Sequence, residues 1–456
     1  MNLFKPLINK SVWVSLFMVA LLLSSFTIGY YAHAASLTYS TIIENGSMAE
    51  PYSYILFKDA STYYAKNGLT GAIDYSGTNA SQVIGNALAV GGTIFLRKGE
   101  YYLSGELQIN VAGTSIIGEG SGTKLIIISG ATKSAIIVTK PNFRISNLVI
   151  NSTITKTAGF GIAIVGATTF AYGNDRIGVV NEIKDVIIEN QWIGLSIEQD
   201  SRMVYLENID IRNSYDKGIV LDNASFIYLN KITTYNWIRQ YSISLHLINA
   251  FSIYASECEF LNAHDYGVLS NPSTGVTNQW LRFVNCAVET NETDTGGDGW
   301  VFTNNQGGNN EGVYLYDVWA ASARNGIILD GVNDAQIVGA QAHGNDRHGL
   351  WIQDTNTKQV EIKGGHFSVN SRAANNTYDG IHVDANINHF SIIGTIIYGN
   401  NIYGETGTVF QRYAIRVDVG ASDWYIITEN LVRYNGSYGV SDGGTGTHKL
   451  VTDNVQ

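Results

Sequence analysis

The chain has 456 residues, with 48 Gly, 4 Pro, 2 Cys, 45 % hydrophobic residues and only 15 % charged ones. This profile excludes disorder, which goes with low hydrophobicity and high charge, and collagen, which needs Pro and a Gly-X-Y period. Two Cys cannot build a disulfide scaffold, so much Gly disfavours a helical bundle, and a net charge of −11 argues against nucleic acid as a partner.

Residues 1–34 read as a secretory signal peptide. Lys5 and Lys10 open it, an apolar run follows from Val12 to about Ile28, and Ala32-His33-Ala34 offers a cleavage site before Ala35. An uncleaved membrane anchor is the alternative, because the run is nearly long enough to span a bilayer. Ser15, Ser24, Ser25 and the A-x-A site favour cleavage. The mature protein is then secreted or at the cell surface, without stable membrane insertion. Its net charge becomes −13, from 26 basic and 39 acidic residues. Residues 35–71 form a lead segment and 72–456 a single domain. Near the start of that domain a short helix is expected. Thr78 or Asn79 can cap it, and Val83, Ile84, Ala87 and Leu88 give it one apolar face.

From residue 159 onward one phrase recurs: polar residues, Gly, then a short alternating strand. It reads GFGIAIV (159–165), WIGLSIE (192–198), DKGIVLD (216–222), DYGVLSN (265–271), GDGWVFT (297–303), RNGIILD (324–330), RHGLWIQ (347–353), YDGIHVD (378–384) and SYGVSDG (437–443). YSISLH (241–246) and YAIRVD (413–418) lack the Gly. A second strand phrase precedes most copies and ends in Asn, as at Asn190, Asn213, Asn236, Asn262, Asn345, Asn370, Asn400 and Asn435. Copies lie 23–34 residues apart, and strand-like alternation fills the space between them. An all-β repeat too small to fold alone must stack on its neighbours. The expected fold is therefore a parallel β-helix of about 10–12 rungs, with corresponding residues about 4.8 Å apart on successive rungs. Inward Ile, Val and Leu stack as a core, Asn forms an amide ladder, and Gly sits at a tight corner. Cys258 and Cys286 fall at like positions on adjacent rungs, as a buried thiol stack or as a disulfide.

AIDYSGTNASQVIGNALAVGGTIFLRKGEYYLSGELQI (72–109) and GTSIIGEGSGTKLII (113–127) resemble the opening of the right-handed parallel β-helix proteins of the pectin-lyase-like superfamily. The start is similar to the pectate-lyase-like domain shared by rhamnogalacturonases and epimerases. The resemblance implies a capping helix and a right-handed coil. It leaves function open, because the fold hosts lyases, hydrolases, epimerases, tailspikes and adhesins. The chain stops in what reads as the start of another rung, so a homo-oligomer contact through that end is also expected.

Alternation turns the second and fourth residues after each Gly towards solvent. Titratable and aromatic residues gather there, and just before the Gly, on five consecutive rungs between 298 and 418. The candidate catalytic residues are His348, Asp379, His382 and Arg416; Trp351, Tyr378, Tyr413 and Asp298 are candidates for substrate binding. Asp384 and Asp418, one rung apart, suit either a shared Ca²⁺ or a retaining carboxylate pair. Long turns at 291–299, 370–380 and 400–414 would wall the cleft. YDG at Asp379 and RHG at His348 resemble two motifs of the polygalacturonase branch, whose adjacent Asp pair and R-I-K are missing. A lyase or epimerase needs a base beside a uronate and a cation to stabilise the developing charge. His348, His382 or Tyr413 could be the base, with Arg416 or Ca²⁺ as the cation. The expectation is a secreted lyase or epimerase acting on a uronate-containing polysaccharide. A glycoside hydrolase and a non-catalytic carbohydrate-binding, adhesin or structural protein are the rivals. Asp222 and Asp330 read as structural.

Overall fold

The structure, a computed structural model, describes residues 51–167, 181–235, 243–290, 296–399 and 411–455, with two short strands, Ile43–Glu44 and Ser47–Met48. The signal segment 1–34, Asn236, Asn400 and most of the turns at 291–295 and 400–410 lie outside the described residues. The two short strands pair antiparallel within a unit formed by Met1–Pro51 and Gly68–Gly71. The second unit comprises Tyr52–Asn67 and Ala72–Gln456. Strand Tyr54–Asp59 pairs antiparallel with Thr62–Asn67 and parallel with Thr93–Leu96. Among the described residues no helix is long and apolar enough to cross a membrane.

Among the described residues the second unit has one α-helix, Ala80–Val90. Its start is fixed by Asn79, whose side-chain oxygen accepts from the Gln82 N–H. Ala80, Val83, Ile84, Ala87 and Leu88 are buried against the first strands of the coil. The rest is a solenoid of about 12 turns, built from three parallel sheets. The sheet that carries the Gly phrase includes Ile193–Glu198, Lys217–Asp222, Tyr266–Ser270, Asp298–Phe302, Ile327–Asp330, Leu350–Gln353, Ile381–Val383 and Tyr413–Asp418.

The first and third residues after each Gly point inward, as alternation requires. Ile219, Leu221, Ile327, Leu329, Leu350, Ile352, Ile381 and Val383 are fully buried. Each such side chain stabilises the coil by about 1.5–3 kcal/mol. Trp300 is the largest buried side chain. Its ring meets Phe283 edge-on at 4.9 Å, and its indole N–H donates to the Trp319 carbonyl at 3.0 Å.

The recurring Gly has a stacking cause rather than a dihedral one. A Cβ on Gly326 would lie 2.5 Å from the Gly349 carbonyl oxygen, and one on Gly349 2.6 Å from that of Gly380. The expected Asn ladder splits into two features. Asn190, Asn213 and Asn262 adopt left-handed φ of 56°, 53° and 53° and form the corner itself, which Asn tolerates. In later rungs the left-handed residue comes one position earlier, at Gly344, Val369 and Tyr434. The following amide then turns inward. Asn345 Nδ2 donates to Asn370 at 2.8 Å, Asn370 Nδ2 to Gln411 at 2.8 Å, and Gln411 Nε2 to Asn435 at 3.1 Å. Gln411 therefore holds the place expected for Asn400. Cys258 and Cys286 are free buried thiols.

The register also corrects one rung. His246 pairs with Val220 and Leu269, and Ile248 pairs with Asp222. His246 is thus a second-position residue, although YSISLH laid against YAIRVD sets it level with the fourth-position Asp418.

Asn370→Ala removes partners from Asn345 and Gln411 in a buried row. The expected loss is about 3 kcal/mol, since each orphaned buried amide costs about 1–3 kcal/mol. The urea midpoint, measured at unchanged denaturant slope, checks it.

Candidate functional site

Register brings the predicted residues together. The second-position column runs Leu269, Val301, Ile328, Trp351, His382 and Arg416 on successive rungs. Leu269, Val301 and Ile328 form a small apolar cluster on the outer face. Beyond them the column turns aromatic and charged. His348 and Asp379 flank it from the positions before Gly349 and Gly380.

Asp379 is fully buried and has four donors. Arg412 reaches it with Nε at 3.0 Å and Nη2 at 2.8 Å, the Tyr413 N–H at 3.2 Å, and His382 Nδ1 at 2.7 Å. Burial alone would raise its carboxyl; the bonds from His382 and Arg412 hold it below the usual carboxylate range. So enclosed, it organises the groups that surround it.

His382 is the hub. Beyond Nδ1 and Asp379, its Nε2 faces Asp384 at 3.2 Å and Asp418 at 3.4 Å. Burial opposes its charge, yet the hydrogen bonds to Asp379 and Asp384 carry it up to about 9. It is an imidazolium at neutral pH. His348 is the opposite case. Its Nδ1 accepts the Asp379 N–H at 3.1 Å, so the neutral ring carries its proton on Nε2. Burial, then the neighbouring His382 charge at a ring separation of 4.6 Å, pushes it down to about 3.

Asp384 and Asp418 reach the solvent edge, with about a third of each side chain exposed. Asp384 accepts the Trp351 indole N–H at 2.8 Å. Burial raises this carboxyl, but bonds from His382 and Trp351 leave it lowered overall. Asp418 accepts Arg416 Nε at 2.6 Å. Tyr413 is half-buried beneath the guanidinium groups of Arg412 and Arg416, at 5.2 and 5.7 Å. Tyr378 meets His348 edge-on at 5.2 Å.

Asp298 stands apart, three rungs from Asp379. It is 3 % exposed and held by Arg324 and by Asn325 Nδ2 at 2.8 Å. Arg324 clamps Asp298 from the next rung as Arg412 clamps Asp379. Sequence reasoning missed Arg412. The signal was an Arg two places before the Gly position in both RNG and RYA.

Asp384, Asp418 and His382 bring three ligand atoms within 4.8 Å of one another. Ca²⁺ takes six to eight oxygens. Here the space between the two carboxylates faces an imidazole nitrogen, and Arg416 already holds Asp418. Shallow grooves of about 500 Å³ beside Tyr205, Tyr228 and Tyr254, and about 690 Å³ beside Trp424 and His448, lie on another sheet, away from this cluster.

No protein-family model and no curated protein matches the sequence. Solved structures do. The A-module of the Azotobacter vinelandii mannuronan C-5 epimerase AlgE4 is 17 % identical over 82 % of this chain and 95 % of that one, with TM-score 0.42. The Dettilon tailspike protein is 13 % identical over 79 % and 64 %, with TM-score 0.50. The catalytic domain of a GH87 alpha-1,3-glucanase is 14 % identical over 81 % and 67 %, with TM-score 0.39. The chain is a right-handed parallel β-helix. At these identities the likeness speaks for the fold alone.

The two histidines set a pH optimum of stability. His382 has a folded pKa raised above the unfolded 6.5, so its contribution is full below 6.5 and is lost as pH rises through about 9. His348 is depressed to about 3, so the unfolded state binds more protons below 6.5 and stability falls as pH drops. The melting temperature is expected to peak between about pH 6 and 7. His382→Gln should flatten the alkaline limb and His348→Gln the acid limb, as read in a thermal-melt series across pH.

Proposed function

We propose that this chain is a polysaccharide-processing enzyme that hydrolyses glycosidic bonds on the face bearing Trp351, Asp384 and Asp418. The observation that carries the reading is the solvent-edge Asp384 carboxylate, fixed by Trp351 and His382 beside half-buried aromatic rings. An oriented carboxylate is the part glycoside hydrolysis needs, and flat apolar rings suit stacking against a sugar.

Elimination is less well served. His348 lends its Nδ1 lone pair to the Asp379 N–H, and its low pKa makes it a poor base. His382 is already protonated and enclosed by carboxylates. Inside the cluster the cations are themselves paired, while Arg347 lies exposed over the Tyr378 ring at 5.7 Å. Arg412, Arg416 and the His382 imidazolium face Asp379, Asp384 and Asp418. Three positive groups thus balance three negative ones, on a chain of net charge −11. A neutral glycan enters such a site without the repulsion that a polyuronate would meet. The signal-like segment 1–34 is in keeping with action outside the cell.

The test is a panel of neutral and uronate polymers, with reducing ends and the absorbance of unsaturated products followed in parallel. Reducing ends without absorbance, largest on a neutral polymer, are the expected result. Absorbance would favour elimination, and neither signal would favour a non-catalytic coil. Asp384→Asn should lower the rate roughly 10²–10⁴-fold while the circular dichroism spectrum stays unchanged.

A further inference from the structure

Hydrolysis needs an acid to protonate the leaving oxygen as well as a carboxylate. Asp384 and Asp418 do not divide those roles well. Asp384 is lowered overall by its bonds from His382 and Trp351. Both oxygens of Asp418 face cationic partners, Arg416 and His382. Neither has the apolar setting that keeps a carboxylic acid protonated.

The fourth-position column supplies another group. Asp330 pairs in register with Gln353, and Gln353 stands one rung before Asp384. Two rungs separate Asp330 and Asp384, about 10 Å between backbone positions. That backbone spacing is just above the roughly 6.5–9.5 Å carboxyl separation of inverting glycosidases, and the two side chains share one face of one sheet. Gln353 lies between them on that column, and Trp351 is its outward neighbour on the same strand.

The surroundings of Asp330 are those of an acid. It is half-buried on the strand that carries the apolar Ile328, and it accepts from a neutral hydroxyl, Thr303 Oγ1, at 2.7 Å. Burial pushes its carboxyl above the usual range. The negative charges of Asp354 and Asp384 add to this, and the Thr303 bond opposes it. Asp384 carries the reverse set of neighbours.

We infer that Asp330 is the general acid, and Asp384 the general base, of an inverting hydrolysis centred over Gln353; this rests on the hydrolase reading above. The Asp330 proton passes to the glycosidic oxygen as the bond from that oxygen to the anomeric carbon breaks. Water attacks the same carbon from the opposite face, and Asp384 takes its proton as the new C–O bond forms. The alcohol leaves neutral. One proton then returns from Asp384 to Asp330 through solvent. Asp418, with Arg416, positions His382 and so fixes Asp384.

The full chain is incubated with borohydride-reduced neutral glucans, mannans and galactans, and proton NMR follows the anomeric signals of fresh product. The expected signals have the configuration opposite to that of the cleaved bond. Asp330→Asn, which keeps an acceptor for Thr303, should slow polymer cleavage roughly 10³-fold and abolish the alkaline limb of the pH–rate profile. On dinitrophenyl glycosides of the same sugar, whose leaving group needs no proton, it should lose less than roughly tenfold. Retained configuration overturns the proposal and leaves the hydrolase reading standing. So does Asp330→Asn with more than about a tenth of the polymer rate while Asp384→Asn is inactive. If Asp330→Asn fails to fold, the wild-type stereochemistry decides. Wild-type protein that cleaves no polymer overturns both readings.

Discussion

Successive rungs meet so closely at one corner that a Cβ there would lie 2.4 Å from the next carbonyl oxygen at Gly299 and 2.7 Å at Gly380. That contact pins the register at the rungs that carry glycine, while Ser244 and Ala414 take the same column on two others. A slip of one residue would turn every inward Ile and Leu to solvent, and would press a side chain into the glycine column. Because the register cannot slip, residues with the same offset from the glycine stand above one another. Chemistry on such a coil is written in columns, and the site is a stretch of adjacent columns in which charge replaces hydrocarbon.

The same stacking explains how a chain with few charges holds so many in one place. Asp379 is buried by the rung above and the rung below, so it must be satisfied locally. Arg412 and the Tyr413 N–H come from the next rung, and His382 from its own strand. Once Asp379 is fixed as an anion, it pulls a proton onto His382, and that imidazolium in turn organises Asp384 and Asp418. A buried charge with one partner removed is strongly destabilising, so the network holds as a unit or not at all. Asp298 and Arg324 repeat the clamp three rungs away without the histidine. There the clamp joins two rungs at a corner.

The coil was legible because its signal repeats. Glycine, alternation and the apolar pairs recur every rung, and their sum outweighs any one irregular copy. The columns were legible for the same reason, which is why His348, Trp351, His382, Asp384, Arg416 and Asp418 were named together. What single residues decide was not. Pairing depends on which partner the neighbouring rung presents, and a turn of different length changes that partner. Gln411 enters the amide ladder from the end of a long turn, and Arg412 follows it. His246 was misread by two places because its copy carries Ser244 where others carry glycine. Asp379 looked like an exposed acid because alternation says which way a side chain leaves the strand, not what then covers it.

The contrast between Asp330 and Asp384 is the clearest case of this limit. Both are the fourth residue after a glycine, on the same column, yet in sequence RNGIILD reads as structural and YDGIHVD as part of the site. The difference lies in the second-position neighbours. For Asp330 the second-position residues of its own rung and the one before are Ile328 and Val301, which carry no charge and no hydrogen-bond donor. Beside Asp384 they are Trp351 and His382, which donate hydrogen bonds to it. Apolar floor meets charged floor between those two rungs. A pair of like carboxyls lying across such a boundary is driven to opposite protonation states by environment alone, which is what acid–base catalysis asks of two identical side chains.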